Sequence, residues 1–99
     1  MTLGTVNYTD LQLLAIFNKP AQGNGLITLA HQLIAAKLNI ANGADGSSVA
    51  ATIAAADALI GGLVVPPVGA GTLPSSTTSS LTNTLDSYNN GLIGPGHCD

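Results

Sequence analysis

The stretch that decides the fold is residues 24–39, NGLITLAHQLIAAKLN, which is typical of a helix with apolar residues on almost every side. A helix on a protein surface carries one apolar stripe and one polar face, whereas a helix that is apolar all round lies in the interior. Leu26 and Leu29 repeat at helical spacing, and Ile27 and Ile34 fill a second side. The pattern predicts a central helix that other segments cover.

The sequence also marks both ends of this helix, which is predicted at about residues 24–42. Asn24 is a favoured N-cap residue, because its side-chain oxygen can accept a hydrogen bond from an otherwise unpaired amide of the first turn. At the other end, Asn42 is followed by Gly43, and glycine is the residue that most readily adopts the left-handed conformation just beyond a helix.

Residues 9–19 are predicted to form a helix before the central one. Thr9 and Gln12 fit the capping-box pattern, in which each side chain accepts a hydrogen bond from the backbone amide of the other residue. Pro20 ends the helix, because the residue before a proline is disfavoured in helical conformation. The apolar residues expected on the core side are Leu13, Leu14, Ile16 and Phe17.

Two further helices are predicted after the central one, at about residues 46–60 and 75–90. The connection 61–74 contains two adjacent prolines and enough apolar residues to pack against the helices. Residues 1–8 are expected to be extended, and a Gly/Pro-rich tail closes the chain. The predicted fold class is all-α: a single domain, residues 1–99, built as a small four-helix bundle with short connections and one long proline-containing loop.

The chain is almost uncharged. It has two lysines, no arginine, five aspartates and no glutamate, so that only 7% of its residues are charged and the formal net charge is −3. Soluble proteins carry about 25% charged residues.

Nucleic acid is a poor partner, since phosphate contacts need lysine and arginine. No membrane span is predicted, because residues 49–65 are short and weakly apolar for one. A surface with little charge favours contact with other uncharged surfaces, including copies of itself.

Three polar residues stand out as buried anchors. His31 lies in the middle of the central helix, and no acidic residue, cysteine or second histidine is three or four positions away to support catalysis or metal binding. It is therefore interpreted as a core imidazole hydrogen-bonded to a neighbouring segment. Asp57 lies within an alanine-rich helix, where it either faces solvent or bonds to Tyr88, His31 or the 61–74 loop. Tyr88 continues an apolar stripe with Leu81 and Leu85.

Two other motifs give weaker evidence for a binding or catalytic site. Residues 42–46, NGADG, share residue types with calcium loops but lack the alternating ligand spacing and the terminal glutamate. A turn followed by an N-cap at Asp45 explains the same residues. His97 and Cys98 are adjacent in the tail, where they do not converge as a nucleophile pair must. Cys98 is the only cysteine, so it is either a free thiol or half of a disulfide whose partner lies outside this sequence.

Residues 23–39 (GNGLITLAHQLIAAKLN), 42–45 (NGAD) and 88–98 (YNNGLIGPGHC) together resemble a helical module of unknown function that is found in many secreted and surface-exposed bacterial proteins. There the module usually follows a segment containing Gly-Tyr-Trp-Lys-Asn-His. The likeness covers nearly all of residues 2–98. It implies a secreted or cell-surface location, and it supplies no catalytic residues. The upstream segment often includes a cysteine, which would make Cys98 one half of a disulfide.

The leading functional hypothesis is a non-enzymatic extracellular structural or interaction module, which forms a homo-oligomer or contacts another extracellular matrix or surface protein. One alternative is a subunit of a homopolymeric extracellular filament. Another is a small ligand- or metal-binding module, to which His31, Asp57 or residues 42–45 would contribute. No catalytic, cofactor-binding or metal-binding residue is assigned, and no cofactor is predicted.

Overall fold

The computed structural model describes residues 1–90, and over that range the chain is mostly helical, as predicted. The extended N-terminus forms a small antiparallel hairpin in which Thr2 lies opposite Asn7 and Leu3 opposite Val6. The elements in chain order are β1 (Thr2–Leu3), β2 (Val6–Asn7), α1 (Asp10–Asn18), α2 (Gly25–Ala41), α3 (Ala50–Ile60) and α4 (Ser75–Asn89). The predicted Gly/Pro-rich tail, residues 92–99, lies outside the described residues.

The start of α1 has the predicted capping box. The Thr9 hydroxyl accepts a hydrogen bond from the Gln12 amide at 3.2 Å, and the Gln12 side chain accepts one from the Thr9 amide at 2.8 Å. These bonds satisfy two backbone donors that no earlier helical turn could reach. The helix ends at Asn18, two residues before Pro20.

α2 is the central helix, and it packs against α1, α3 and α4. From residue 25 to residue 37 every position is buried or half-buried, which confirms the prediction of a covered helix. Asn24 caps it by accepting the Leu26 amide at 3.0 Å, and Gly43 has a positive φ of 105° after its end. The buried residues of α2 are Gly25, Leu26, Ile27, Leu29, Ala30, Leu33, Ile34 and Ala36.

The third helix begins later than predicted. α3 starts at Ala50 and not at residue 46, because residues 47–49 form a short 3₁₀ turn first. Asp45 lies just before this turn, and its carboxylate accepts the Ser47 amide at 2.9 Å; the N-cap position itself is Gly46, so the prediction that Asp45 caps the helix is wrong. This backbone bond, followed by a bond from the Ser47 side chain, lowers the pKa of the Asp45 carboxyl below its usual value, since both favour the charged form.

α4 packs along α2 in the most extensive helix–helix contact of the described chain. Leu85 and Tyr88 are buried, as the stripe predicts, and Thr78 and Thr82 are buried with them. The two helices come close together at Gly25, where a Cβ atom would lie 2.5 Å from the Thr78 hydroxyl oxygen. The absence of a side chain at Gly25 therefore lets the N-terminal ends of α2 and α4 meet.

Two side chains hold the 61–74 loop against the helices. The buried hydroxyl of Tyr8 accepts the Val65 amide at 2.9 Å. Asn24, besides capping α2, accepts the Leu73 amide at 3.2 Å and donates to the Gly71 carbonyl at 3.0 Å. The loop is thus packed, as its apolar residues indicate, and each of its ends has a polar attachment.

Candidate interaction surface

The outer side of α1 is the most unusual surface of the described chain. Leu11 is 81% exposed, Leu14 57% and Phe17 40%, although all three are large and apolar. Residues three apart lie on one side of a helix, so these side chains form a stripe. We call Leu11, Leu14 and Phe17 the α1 outer face. It lies opposite the buried residues Leu13 and Ile16.

The prediction that Leu14 and Phe17 face the core is therefore wrong. The sequence places Leu11, Leu13, Leu14, Ile16 and Phe17 within one short helix. Successive residues are about 100° apart, so these five positions surround much of the helix and cannot all face one neighbour. α1 packs mainly on α2, and that contact covers one side only. The excess of apolar residues in so short a helix was the signal that predicts a second apolar face.

His31 lies directly behind this face. Its Nε2 atom is 2.6 Å from the Ile16 carbonyl oxygen, and its ring stacks on Phe17 with the centroids 5.8 Å apart. A protonated Nε2 donates a hydrogen bond to this carbonyl, which also accepts the backbone amide of Lys19 at 3.1 Å, just beyond the end of α1. His31 is half-buried and ties α2 to α1. The contact fixes the orientation of Phe17 at the edge of the outer face.

Asp57 and Lys37 join α3, α2 and the N-terminal hairpin. The Lys37 ammonium lies 3.0 Å from both carboxylate oxygens of Asp57 and donates to the Thr2 carbonyl at 2.6 Å. The Asp57 carboxylate also accepts the Gly4 amide at 2.9 Å. The pair is largely sheltered, with 19% of the Lys37 side chain and 29% of the Asp57 side chain exposed. Each charge thus has a charged partner and a backbone partner.

The partners of Asp57 differ from those that the sequence suggests. The expected partners were Tyr88, His31 or the 61–74 loop, whereas the structure brings Lys37 and the hairpin to it. Lys37 is 20 residues away in the sequence. Only the packing of α3 against α2 brings the two side chains together, and no local pattern encodes that contact.

We expect the Asp57→Ala variant to lose about 1–2 kcal/mol of unfolding free energy, because the Lys37 charge and the Gly4 amide would both lose a partner. The Asp86→Ala variant is the matched control, since Asp86 is exposed and should change stability by less than about 0.5 kcal/mol. Urea unfolding of both variants measures the difference. Adding Lys37→Met to Asp57→Ala should cost less than the two single losses together; simple additivity would contradict this account.

Tyr88 and Asn89 attach the end of α4 to the rest of the chain. The buried Tyr88 hydroxyl donates to the Asp45 carbonyl at 3.0 Å. The Asn89 side chain donates to the Gln32 backbone carbonyl at 3.0 Å and accepts from the Asn39 amide group at 3.1 Å. Sequence reasoning identified Tyr88 as an anchor but not Asn89. Gln32 and Asn39 lie seven residues apart on one side of α2, and these two polar residues could have indicated a polar partner on a neighbouring helix.

A shallow pocket of about 150 Å³ opens beside the contact between α2 and α4. Five of its lining residues are Thr28, Ser75, Thr78, Ser79 and Thr82. Among the buried polar side-chain atoms of the described residues, the Thr82 hydroxyl oxygen has no hydrogen-bond partner. That oxygen is also closed to solvent, so the pocket offers a small molecule chiefly methyl groups and exposed serine hydroxyls.

Residues 1–90 contain no cluster of three or more histidine, cysteine or acidic side chains that could hold a metal ion. Within the same range no helix has both the length and the apolar character that crossing a membrane requires. His97 and Cys98, and with them the possible disulfide of Cys98, lie outside the described part of the chain.

Comparison of the chain with models of known protein families, with curated proteins and with solved structures found no match.

Proposed function

We propose that this protein is a non-enzymatic structural or interaction module that acts outside the cell and associates with copies of itself. The single observation that carries the proposal is the α1 outer face. Isolated exposed apolar side chains are ordinary on protein surfaces, but a stripe of three on one helix is typical of an interaction site. Burying these side chains against another apolar surface removes them from water at about 25 cal/mol per Å².

The charge distribution supports self-association. With a net charge of −3 spread over 99 residues, two copies repel each other weakly. The Lys37–Asp57 ion pair also neutralises two of the few charges within the fold. The extracellular location rests on the resemblance to secreted and surface-exposed bacterial modules. Low charge suits a protein whose partners are uncharged surfaces.

We further propose that the scaffold is a single four-helix bundle in which α2 is the core helix. Its contacts with α1, α3 and α4 support this arrangement, as does the attachment of the 61–74 loop through Tyr8 and Asn24. A scaffold held in this way presents α1 in a fixed orientation. A preorganised surface of this kind gives up little conformational entropy when it binds.

We expect the weight-average mass of the full chain to rise with concentration from the monomer value. Sedimentation equilibrium between about 1 µM and 1 mM covers the range of weak to moderate association. The Cys98→Ser variant is the control, because it removes any disulfide-linked dimer. A mass that levels off indicates a closed oligomer, and a mass that rises without limit indicates a filament. A monomer throughout this range would contradict the proposed self-association.

A further inference from the structure

Three asparagines of this chain are followed directly by glycine, in the pairs Asn24–Gly25, Asn42–Gly43 and Asn90–Gly91. The backbone nitrogen of the following residue can attack an asparagine side chain, and glycine permits the close approach best because it has no side chain of its own. Gly91 lies outside the described residues, so the structure compares the first two pairs. Since both have the same local sequence, the fold decides which of them reacts.

We propose that Asn42 is a site of spontaneous modification in the folded protein, at which the Gly43 nitrogen converts the asparagine to aspartate and isoaspartate, whereas the fold protects Asn24. The inference goes beyond the proposed function and does not depend on self-association.

The contacts of Asn24 and Gly25 hold both reacting groups in place. The Asn24 side-chain oxygen accepts the Leu26 amide at 3.0 Å and the Leu73 amide at 3.2 Å. The side-chain nitrogen donates to the Gly71 carbonyl at 3.0 Å. The attacking atom would be the nitrogen of Gly25, which is buried and donates to the Leu73 carbonyl at 2.8 Å. Reaction here therefore requires the start of α2 to separate from the loop before α4.

The Asn42–Gly43 pair is held much less firmly. Both residues are exposed. Within residues 1–90, the hydrogen bonds of Asn42 are those of its backbone, whose amide donates to the Leu38 carbonyl at 2.9 Å. The Gly43 amide donates to the Ile40 carbonyl at 3.0 Å, and a Cβ atom on Gly43 would meet nothing within 4 Å. These bonds close the last turn of one helix, and helix ends open locally at little cost in free energy. The Asn42 side chain is thus free to meet the neighbouring nitrogen.

The reaction needs only water as a co-reactant. The Gly43 nitrogen loses its proton and bonds to Cγ of Asn42, while the bond from Cγ to the side-chain nitrogen breaks and that nitrogen leaves as ammonia. Water then opens the five-membered imide ring. Cleavage between Cγ and the Gly43 nitrogen gives aspartate, and cleavage between the Asn42 backbone carbonyl carbon and the same nitrogen gives isoaspartate.

The product changes the end of the central helix. Each event adds one negative charge to a chain whose formal net charge is −3. The new carboxylate lies at the C-terminal end of α2, where the helix dipole disfavours negative charge, and the last turn of α2 contains no basic residue. The modification therefore acts against the helix at whose end it forms.

The test follows each asparagine separately during incubation of the full chain at mildly alkaline pH, with fragmentation mass spectrometry of proteolytic peptides as the measurement. In the folded protein we expect Asn42 to react at least about 10-fold faster than Asn24, because only the latter must wait for a large opening. In urea that unfolds the chain, the two rates should become similar. Equal rates in the folded protein, or the same ratio with and without urea, would overturn the inference.

Asn83 is the internal control for exposure alone, since it is exposed on α4 but is followed by Thr84. We expect it to react much more slowly than Asn42, and an equal rate would overturn the role of the Gly43 nitrogen. The products give a further check, because ring opening yields isoaspartate as well as aspartate. Aspartate alone at position 42 would show direct hydrolysis of the side-chain amide and would overturn the cyclic route.

Discussion

Replacing Leu33 by alanine should lower the unfolding free energy by about 3–4 kcal/mol. Leu33 is completely buried near the middle of α2, the helix that contacts all the others. Truncation removes three carbon atoms from the core and leaves a cavity that the surrounding helices can fill only in part. Because a domain of this size is stabilised by about 5–15 kcal/mol, the loss is a large share of the total.

Leu38→Ala is the matched control on the same helix. Leu38 is 42% exposed, so the same truncation removes fewer buried contacts and should cost less than about 1 kcal/mol. Urea unfolding gives both values, and an unchanged m-value would show that only stability has changed. Equal losses for the two variants would mean that α2 is no more covered at Leu33 than near its end, which would contradict its central position.

The features that the sequence predicts well are those encoded locally. The Thr9–Gln12 capping box and the Asn24 N-cap depend on residues two or three positions apart, and their hydrogen bonds are present. The covered character of α2 was also predictable, because a helix without a polar face has no side that favours water. The sequence did not predict the delayed start of α3, because an aspartate that accepts the amide two residues later, as Asp45 does, suits a turn as well as the start of an α-helix.

The features that the sequence did not predict depend on which elements come together. Asp57 has its partners because α3 lies beside Lys37 and the N-terminal hairpin folds back onto both. The α1 outer face escaped prediction because an apolar pattern does not say which of two sides a neighbour will cover. Tertiary packing decides both cases, and the periodicity of a single helix carries no information about which elements pack together.

The second large effect is expected at Gly25. In an ordinary helix, exchanging glycine for alanine is stabilising by up to about 1 kcal/mol. Here the sign should be reversed, because a Cβ atom on Gly25 would lie 2.5 Å from the Thr78 hydroxyl oxygen and 2.9 Å from the carbonyl oxygens of Leu73 and Pro74. We expect the Gly25→Ala variant to lose roughly 2–3 kcal/mol, the upper part of the range for overpacking.

The reversal depends on what the new methyl group would meet. Gly62→Ala is the matched control, since its Cβ would have the Thr5 hydroxyl oxygen as neighbour at 3.9 Å, an ordinary contact, and its stability should change by less than about 0.5 kcal/mol. Adding Thr78→Ala to Gly25→Ala should recover only part of the loss, because two of the three close atoms belong to the backbone. Thermal or urea unfolding of the three variants measures this. A Gly25→Ala protein as stable as the original chain would show that α4 can move away from α2 without cost, and that the close approach of their N-terminal ends does not hold the fold together.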